Sequence, residues 1–471
     1  MLLMLLFVAS RAAALTALPL HNDEGLHLTR AIEVWNLHPF YAIEDGKIIN
    51  VWLMALFYPQ VSPVFAGRIA TVFVGLIGLA AGITLARLAS RRRAGGLLAG
   101  LFWIASPYLF FFERMALADI EAGAIAVLLT VALLPGLRLR RSVLIAGIAL
   151  GTAILFKVSA APFFGVPLLA MLLARDLTWR QRISRLVMIY AIALILFAPA
   201  ALYSATRNGF FSIARGWIGG PALSIGERTA QNTATFLDTT LTVNGLWAVT
   251  LLGIPLSVLA GRRGIFVLGS VLGPLLVMVV LGTEVLDRHF GTVMPLLAVT
   301  AAVGWTQLAM RLPVLNIQWR RLAVVGALLM LVWAWVFAWR TAYIDPAAFP
   351  LTAPMQAQYI TEHPSGYGLR EAVEALPQTV GAHNVIASMS PDGCKRARYY
   401  LTPGPSLDCV GMAQGQAQIE QALQSQGVAY VLAEDVPVGL DPSTVKASWT
   451  QLAIYPRPGN ITSVTVWQVK P

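Results

Sequence analysis

"PYLFFFERMALADIEAGA", residues 107–124, sets Glu113, Arg114, Asp119 and Glu121 between two apolar runs, each long enough to approach the thickness of a bilayer. Of the 471 residues, 57% are hydrophobic and 12% charged. Soluble domains carry roughly a quarter charged residues, so this composition belongs to an integral membrane protein. Charges at a membrane boundary are costly and persist there for ion pairing or function.

Outward from that stretch, apolar segments able to cross about 30 Å of hydrocarbon recur about eleven times. They run near 1–19, 62–88, 94–111, 116–137, 142–157, 159–174, 186–205, 243–260, 264–282, 291–310 and 322–340. The first lacks the basic n-region of a signal peptide and is read as a retained helix. Arg87 with Arg91–Arg93, then Arg138, Arg140 and Arg141, then Arg175, Arg180, Arg182 and Arg185, then Arg262 and Arg263, then Arg311, Arg320 and Arg321 fall in alternate loops. The positive-inside rule makes those loops cytoplasmic, with the N-terminus inside and the C-terminus outside. The net charge of +11 therefore sets topology and gives no reason to expect a nucleic-acid partner. The opposite loops, 20–61, 206–242 and 283–290, carry mixed charges, aromatics and histidines, and chemistry is expected on that outer face.

Residues 341–471 read as a separate extracytoplasmic α/β domain following a membrane domain over 1–340. "GLREAVEALP" and "QAQIEQALQSQ" have helical spacing, whereas "NVIASM", "VAYVLAED" and "ITSVTVWQV" read as strands. Cys394 and Cys409 are the two cysteines. An oxidising compartment favours a disulfide between them, the cytosol two free thiols; the outward C-terminus favours the disulfide.

Just after the first apolar segment comes "HNDEGLHLTRAIEVW", residues 21–35. Asn22 is a good N-cap, with Asp23 and Glu24 in the first turn where the helix dipole favours carboxylates. Asp23, His27 and Arg30 share one helical face, and Leu28, Ile32 and Trp35 nearly the opposite one, as in a helix lying in the membrane interface. Next, "IEDGKIINVW", residues 43–52, offers Lys47 close to the same boundary. An acidic pair can simply cap a surface helix, and Glu121 can simply pair with Arg114.

The "DE" pair after the first span, "DGK" before an aromatic apolar segment, "ERMALAD" leading into the fourth span, and "DRHFGTVMPLLA" at 287–298 together resemble the integral-membrane GT-C glycosyltransferases. Within these the likeness is to family 39 protein mannosyltransferases and the aminoarabinose transferases that modify lipid A. It covers most of residues 15–310 and the plan of a C-terminal outer domain.

That resemblance implies a helical, polytopic fold and a sugar donor carried on polyprenyl phosphate, reached from within the bilayer. Transfer with inversion then goes to a protein, lipid or glycan acceptor. It assigns Asp23 as general base, Glu24 as the group that orients it or meets the acceptor, and Asp119 as a second acidic position placing acceptor or sugar. Lys47 and Arg288 match donor-phosphate contacts, with Arg114 a third. His21, His27, Tyr108, Glu113 and His289 are candidates for the substrate cavity. Tyr108, Trp52 and Phe112 can hold the prenyl chain or stack on the sugar, although aromatics are common at membrane interfaces.

The chain departs from the family pattern at Lys47-Ile48-Ile49, where "KPP" or "QPP" is usual, and at His289, where a tyrosine is usual. His21, Asp23, Glu24 and His289 offer donors for a divalent metal, but nothing in their spacing demands one. A secondary transporter would place its charges at midplane in repeated, broken helices. A membrane-anchored binding or assembly protein would need only the outer domain. An oligosaccharide ligase or polymerase would want more basic residues on the outer face.

Overall fold

The computed structural model describes residues 1–41, 46–57, 62–136, 142–206, 223–283, 285–311, 317–376, 385–388, 396–400, 407–410, 430–437 and 449–469. The chain forms two compact units: Met1–Leu15, Val34–Phe57 and Ala66–Pro350 in one, Thr16–Glu33, Tyr58–Phe65 and Leu351–Pro471 in the other.

The first unit is helical, and among the described residues each expected apolar segment falls largely on helix. Leu2–Ala12, Pro63–Ser90, Arg93–Ala105, Ala118–Ala132, Ser142–Phe156, Trp179–Ala205, Arg262–Leu281, Met294–Arg311 and Ile317–Ala334 are its principal helices. Among the described residues, Pro63–Ser90, Trp179–Tyr203, Arg262–Leu281 and Val324–Ile344 are by themselves long and apolar enough to cross a membrane. A further span arises if Ile225–Val243 and Gly245–Ala260 are taken together, although they meet at 115°. The expected segment at 159–174 opens with a 3₁₀ turn, Val158–Phe164, and continues as Gly165–Leu173. The chain is a multi-pass membrane protein.

The buried Arg11–Glu113 pair of this unit is satisfied internally, as hydrocarbon demands. Arg11, on the first helix, donates from Nε to Glu113 Oε2 at 2.9 Å, and Trp103 Nε1 donates to Glu113 Oε1 at 2.5 Å. Arg11 also donates to the Ile104 carbonyl at 2.9 Å. Both members of the ion pair are completely buried.

The second unit carries a mixed five-stranded sheet in the order β2-β1-β3-β5-β4, formed by β1 Val385–Ser388, β2 Leu407–Val410, β3 Tyr430–Pro437, β4 Trp449–Pro456 and β5 Thr462–Val469. β1 pairs parallel with β2 and β3, and β5 pairs antiparallel with β3 and β4. The α/β reading thus holds, with β2 and β4 added to the three strands expected from sequence. Leu369, Ala372 and Val373 from the expected helix, here Leu369–Glu374, pack with Leu432, Val464 and Val466. Glu434 on β3 is buried between Arg396 and Arg457, each with a guanidinium nitrogen 3.4 Å from a carboxylate oxygen. The second expected helix, "QAQIEQALQSQ", and Cys394 lie outside the described residues, so the disulfide with Cys409 does too.

Candidate active site

The Asn22–Trp35 helix forms as its periodicity predicts, but its first turns belong to the same unit as the sheet. It starts one residue earlier than an Asn22 N-cap implies, so His21 takes the cap position. His21 Nδ1 accepts the Asp23 N–H at 3.2 Å, and Glu24 Oε2 accepts the His21 N–H at 3.0 Å. This is capping-box geometry with histidine in place of serine. It removes Glu24 from contact with solvent, since the side chain is fully buried, and leaves Asp23 the partly exposed carboxylate of the pair.

On the helix's polar face His27 and Arg30 are buried, while on its apolar face Leu28 is buried and Trp35 is exposed. Gly25 sits so close to Arg396 that a Cβ there would lie 2.6 Å from Arg396 Cγ. Thr29 Oγ1 lies 2.8 Å from the Tyr399 hydroxyl, and burial pushes that phenol up to about 12. The His21 and Tyr359 rings stand 4.7 Å apart. Asp23 is therefore presented by a braced helix end.

The helical unit gathers a second cluster at the start of Ala118–Ala132. Asp119 Oδ1 accepts from Lys157 Nζ at 2.5 Å, with both side chains largely buried. Arg288 and Lys47 lie within electrostatic reach of Lys157, and Arg288 and His289 within reach of Asp119. Three expected residues (Lys47, Asp119, Arg288) and His289 are thus brought together around Lys157, which sequence reasoning passed over.

The turn carrying Arg288 and His289, Asp287–Thr292, is fixed from several sides. Tyr108 donates its hydroxyl to the Asp287 carbonyl at 2.8 Å, and Thr239 donates its hydroxyl to the Asp287 carboxylate. A Cβ on Gly123 would lie 2.2 Å from the Gly291 carbonyl oxygen, so only glycine admits this approach of helix to turn. The Leu286 N–H donates to His289 Nδ1 at 3.1 Å. Burial, reinforced by Lys157, Arg288 and Lys47 against the opposing Asp119, pushes the imidazole down to about 3. His289 is thus neutral, and with Nδ1 accepting, its proton resides on Nε2.

Lys47 is half-buried directly before the Ile48–Leu56 helix. Asn50 of that helix donates to Glu121 at 2.6 Å, and Thr71 donates to the same carboxylate at 2.9 Å. Glu121 therefore does not pair with Arg114; it ties the Lys47 segment to the helix that bears Asp119.

The remaining expectations are placed elsewhere. Glu113, expected in a substrate cavity, is consumed by Arg11 and Trp103. Arg114, expected on donor phosphate, donates to the Ala14 carbonyl at 2.6 Å and lies over the rings of Phe110 and Tyr343 at 4.9 and 4.8 Å. Tyr108 and Phe112 are buried against each other, 4.7 Å between centroids, so neither ring lines an open surface. Trp52 donates to the Pro39 carbonyl and neighbours Phe40, which stacks on Tyr203, an aromatic group at the unit's edge. Among the described residues no three histidine, cysteine, aspartate or glutamate side chains converge as metal ligands.

Neither a protein-family model nor a curated protein sequence matches the chain. Solved structures do. ArnT from Cupriavidus metallidurans bound to undecaprenyl phosphate superposes with a TM-score of 0.64 at 15% identity, covering 99% of this chain and 97% of that one. Its apo form gives 0.59 at the same identity over 98% of this chain and 97% of that one. The arabinofuranosyltransferase AftD from Mycobacteria gives 0.51 at 12% identity, over 100% of this chain and 41% of that one. Alignment of nearly the whole chain with ArnT, membrane helices and C-terminal sheet together, shows that this protein has the GT-C fold of membrane glycosyltransferases.

Proposed function

We propose that this protein transfers a sugar from a polyprenyl-phosphate-linked donor to an acceptor on the extracytoplasmic face, with inversion. The observation that carries this reading is the convergence of Lys157, Arg288 and Lys47 on the carboxylate of Asp119, where apolar helices end. Cations gathered in this way suit a phosphate. Support comes from the shared fold of a protein crystallised with undecaprenyl phosphate.

Cleavage of the bond between the anomeric carbon and the phosphate oxygen places growing negative charge on the leaving lipid phosphate. Lys157, Arg288 and Lys47 are assigned to hold that charge, since preorganised cations stabilise a leaving anion most where water is excluded. The acceptor oxygen or nitrogen forms the new bond to the anomeric carbon, and its proton passes to Asp23, the general base. Neutral His289, donating through Nε2, is assigned to a phosphate or sugar oxygen. Asp119 holds Lys157 in place and, on this reading, meets the sugar or acceptor. The N-terminus is assigned to the cytoplasm and the sheet domain to the outside, and the acceptor is a protein, lipid or glycan.

The test compares thermal stabilisation of the purified protein by polyprenyl-phosphate sugars, polyprenyl phosphate and polyprenyl diphosphate, since a ligand bound only to the folded state raises its stability. It is run beside transfer by wild type and Asp23→Asn. The expected result is stabilisation by a monophosphate sugar in both proteins and turnover in wild type alone. Wild-type turnover by Asp23→Asn would remove the base assignment, and no stabilisation by any of the lipids would remove the donor class.

A further inference from the structure

The helical unit holds a second basic site, and it is remote from the cluster described above. A cavity of about 720 Å³ is lined by Arg91, Arg92, Arg262 and Arg263, with Asp176 as its lone carboxylate. The lining comes from separate places in the chain: the end of Pro63–Ser90 and the turn after it, Pro135-Gly136, Asp176, and the start of Arg262–Leu281. Among the described residues none of the four guanidiniums forms an ion pair with Asp176.

Helix direction fixes which end of the bundle this is. Ala118–Ala132 begins beside Asp119 and runs toward Pro135, while Arg262–Leu281 begins at the cavity and ends before the Asp287–Thr292 turn. At 1.5 Å per residue these helices are about 22 and about 30 Å long. The cavity and the Asp119–Lys157 pair therefore occupy opposite ends of the bundle, hence opposite faces of the membrane.

Arg91, Arg92 and Arg262 are exposed at the cavity, and Arg263 is anchored in its wall. Arg263 donates Nη1 to the Leu88 carbonyl at 2.7 Å and Nε to the Pro135 carbonyl at 3.1 Å. Gly136, at φ +77°, would bring a Cβ to 3.3 Å from the Arg263 Nη2. Arg263 is thus pinned between the end of Pro63–Ser90 and the Pro135 loop, and Arg91 lies within its electrostatic reach. Arg262 and Arg263 also occupy the first turn of a 20-residue helix, where the macrodipole is positive and added cations are unfavourable. Alternation of charge between loops accounts for arginines on this face. It does not account for four of them meeting at one cavity and a helix N-terminus against one carboxylate.

We infer that this cavity binds a phosphate-bearing anion at the membrane face opposite the transfer site. Its size falls in the range of small-molecule sites, about 300–1,000 Å³, and planar guanidiniums pair bidentately with phosphate oxygens. The shared chemistry is a phosphate mono- or diester, or a diphosphate, from either an anionic-lipid headgroup or a soluble compound.

The experiment uses the full-length protein, delipidated in a neutral detergent, with two probes read by equilibrium binding: inorganic pyrophosphate, and phosphatidylglycerol against phosphatidylcholine in mixed micelles. Wild type is compared with R92Q/R262Q, both exposed positions, and with Lys157→Met, which removes a cation at the other face. At least one phosphate probe is expected to bind saturably to wild type, with a dissociation constant raised tenfold or more in R92Q/R262Q and unchanged in Lys157→Met. Pyrophosphate binding assigns a soluble source, and selective phosphatidylglycerol binding assigns a headgroup; either supports the site. Absence of saturable binding by both probes, binding that survives R92Q/R262Q combined with Lys157→Met, or binding lost only in Lys157→Met overturns it. Should the double variant misfold, R262Q alone is read the same way.

Discussion

Glu113 and Asp119 stand six residues apart in one sequence stretch, and each carries a buried ion pair, yet the two pairs are built to different ends. Arg11 and Glu113 are completely buried, and Trp103 and the Ile104 carbonyl take up further hydrogen-bonding capacity of the pair. Asp119 and Lys157 retain some exposure, and Arg288 and Lys47 lie within electrostatic reach of the pair. A fully buried, saturated pair holds helices together; a partly exposed pair with further cations gathered on it suits a ligand. The exposure and company of a buried acid, more than the acid itself, separate scaffold from site.

The largest effect follows from breaking the saturated pair. Glu113→Ala strands Arg11 in an apolar interior, and removing one partner of a buried pair costs about 3–5 kcal/mol. Thermal unfolding in detergent is expected to show that loss, with much of it restored in Arg11→Met/Glu113→Ala, where no charge is left uncompensated. Lys157→Met is expected to unfold far less readily than Glu113→Ala and to weaken donor-lipid binding by about 1.5–3 kcal/mol, the range for hydrogen bonds to charged groups. Equal destabilisation by Lys157→Met and Glu113→Ala, with donor affinity untouched, would erase the distinction between the two pairs.

A smaller effect tests how the Arg288 turn is held in position. Gly123→Ala forces a methyl group against the Gly291 carbonyl, and overpacking of this kind costs about 1–3 kcal/mol. Because the Asp287–Thr292 turn must shift, donor affinity is expected to fall along with stability. Retained affinity in a destabilised Gly123→Ala protein would mean that Arg288 does not depend on this contact.

The comparison also explains what the sequence disclosed. Hydropathy marked all the apolar segments because burial in lipid needs long apolar runs, and the capped acidic helix at 22–35 was legible from its spacing. Lys157 was not, because a single lysine at the end of the segment 142–157, just before 159–174, is averaged away by the apolar residues on both sides. Its signal was present: a lone cation inside an apolar run needs a partner, and so does Arg11 within 1–19. Glu113 and Arg114 looked like site residues because they share a loop with Asp119. What separates them is a partner about a hundred residues away, Arg11 for Glu113 and the Ala14 carbonyl for Arg114. The place of Asp23 in the sheet-bearing unit rests on Arg396 and Tyr399, which no local pattern connects to residues 21–35.

A last effect is a pH dependence of the cluster around Asp119. His289 titrates near 6.5 when unfolded and is pushed down to about 3 in the folded protein, so between those values the unfolded chain binds the extra proton. Stability from keeping this imidazole neutral is therefore full above about pH 6.5 and is lost as pH falls toward 3, by up to about 1.4 kcal/mol per pH unit. His289→Asn cannot take up that proton, so the wild-type protein should lose stability faster than the variant between pH 6.5 and 4.5 and match its slope above pH 7. Denaturation of both proteins across that range reads the difference directly. Parallel slopes would mean that the imidazole is solvated, and that the cations around it are too well screened to form an anion site.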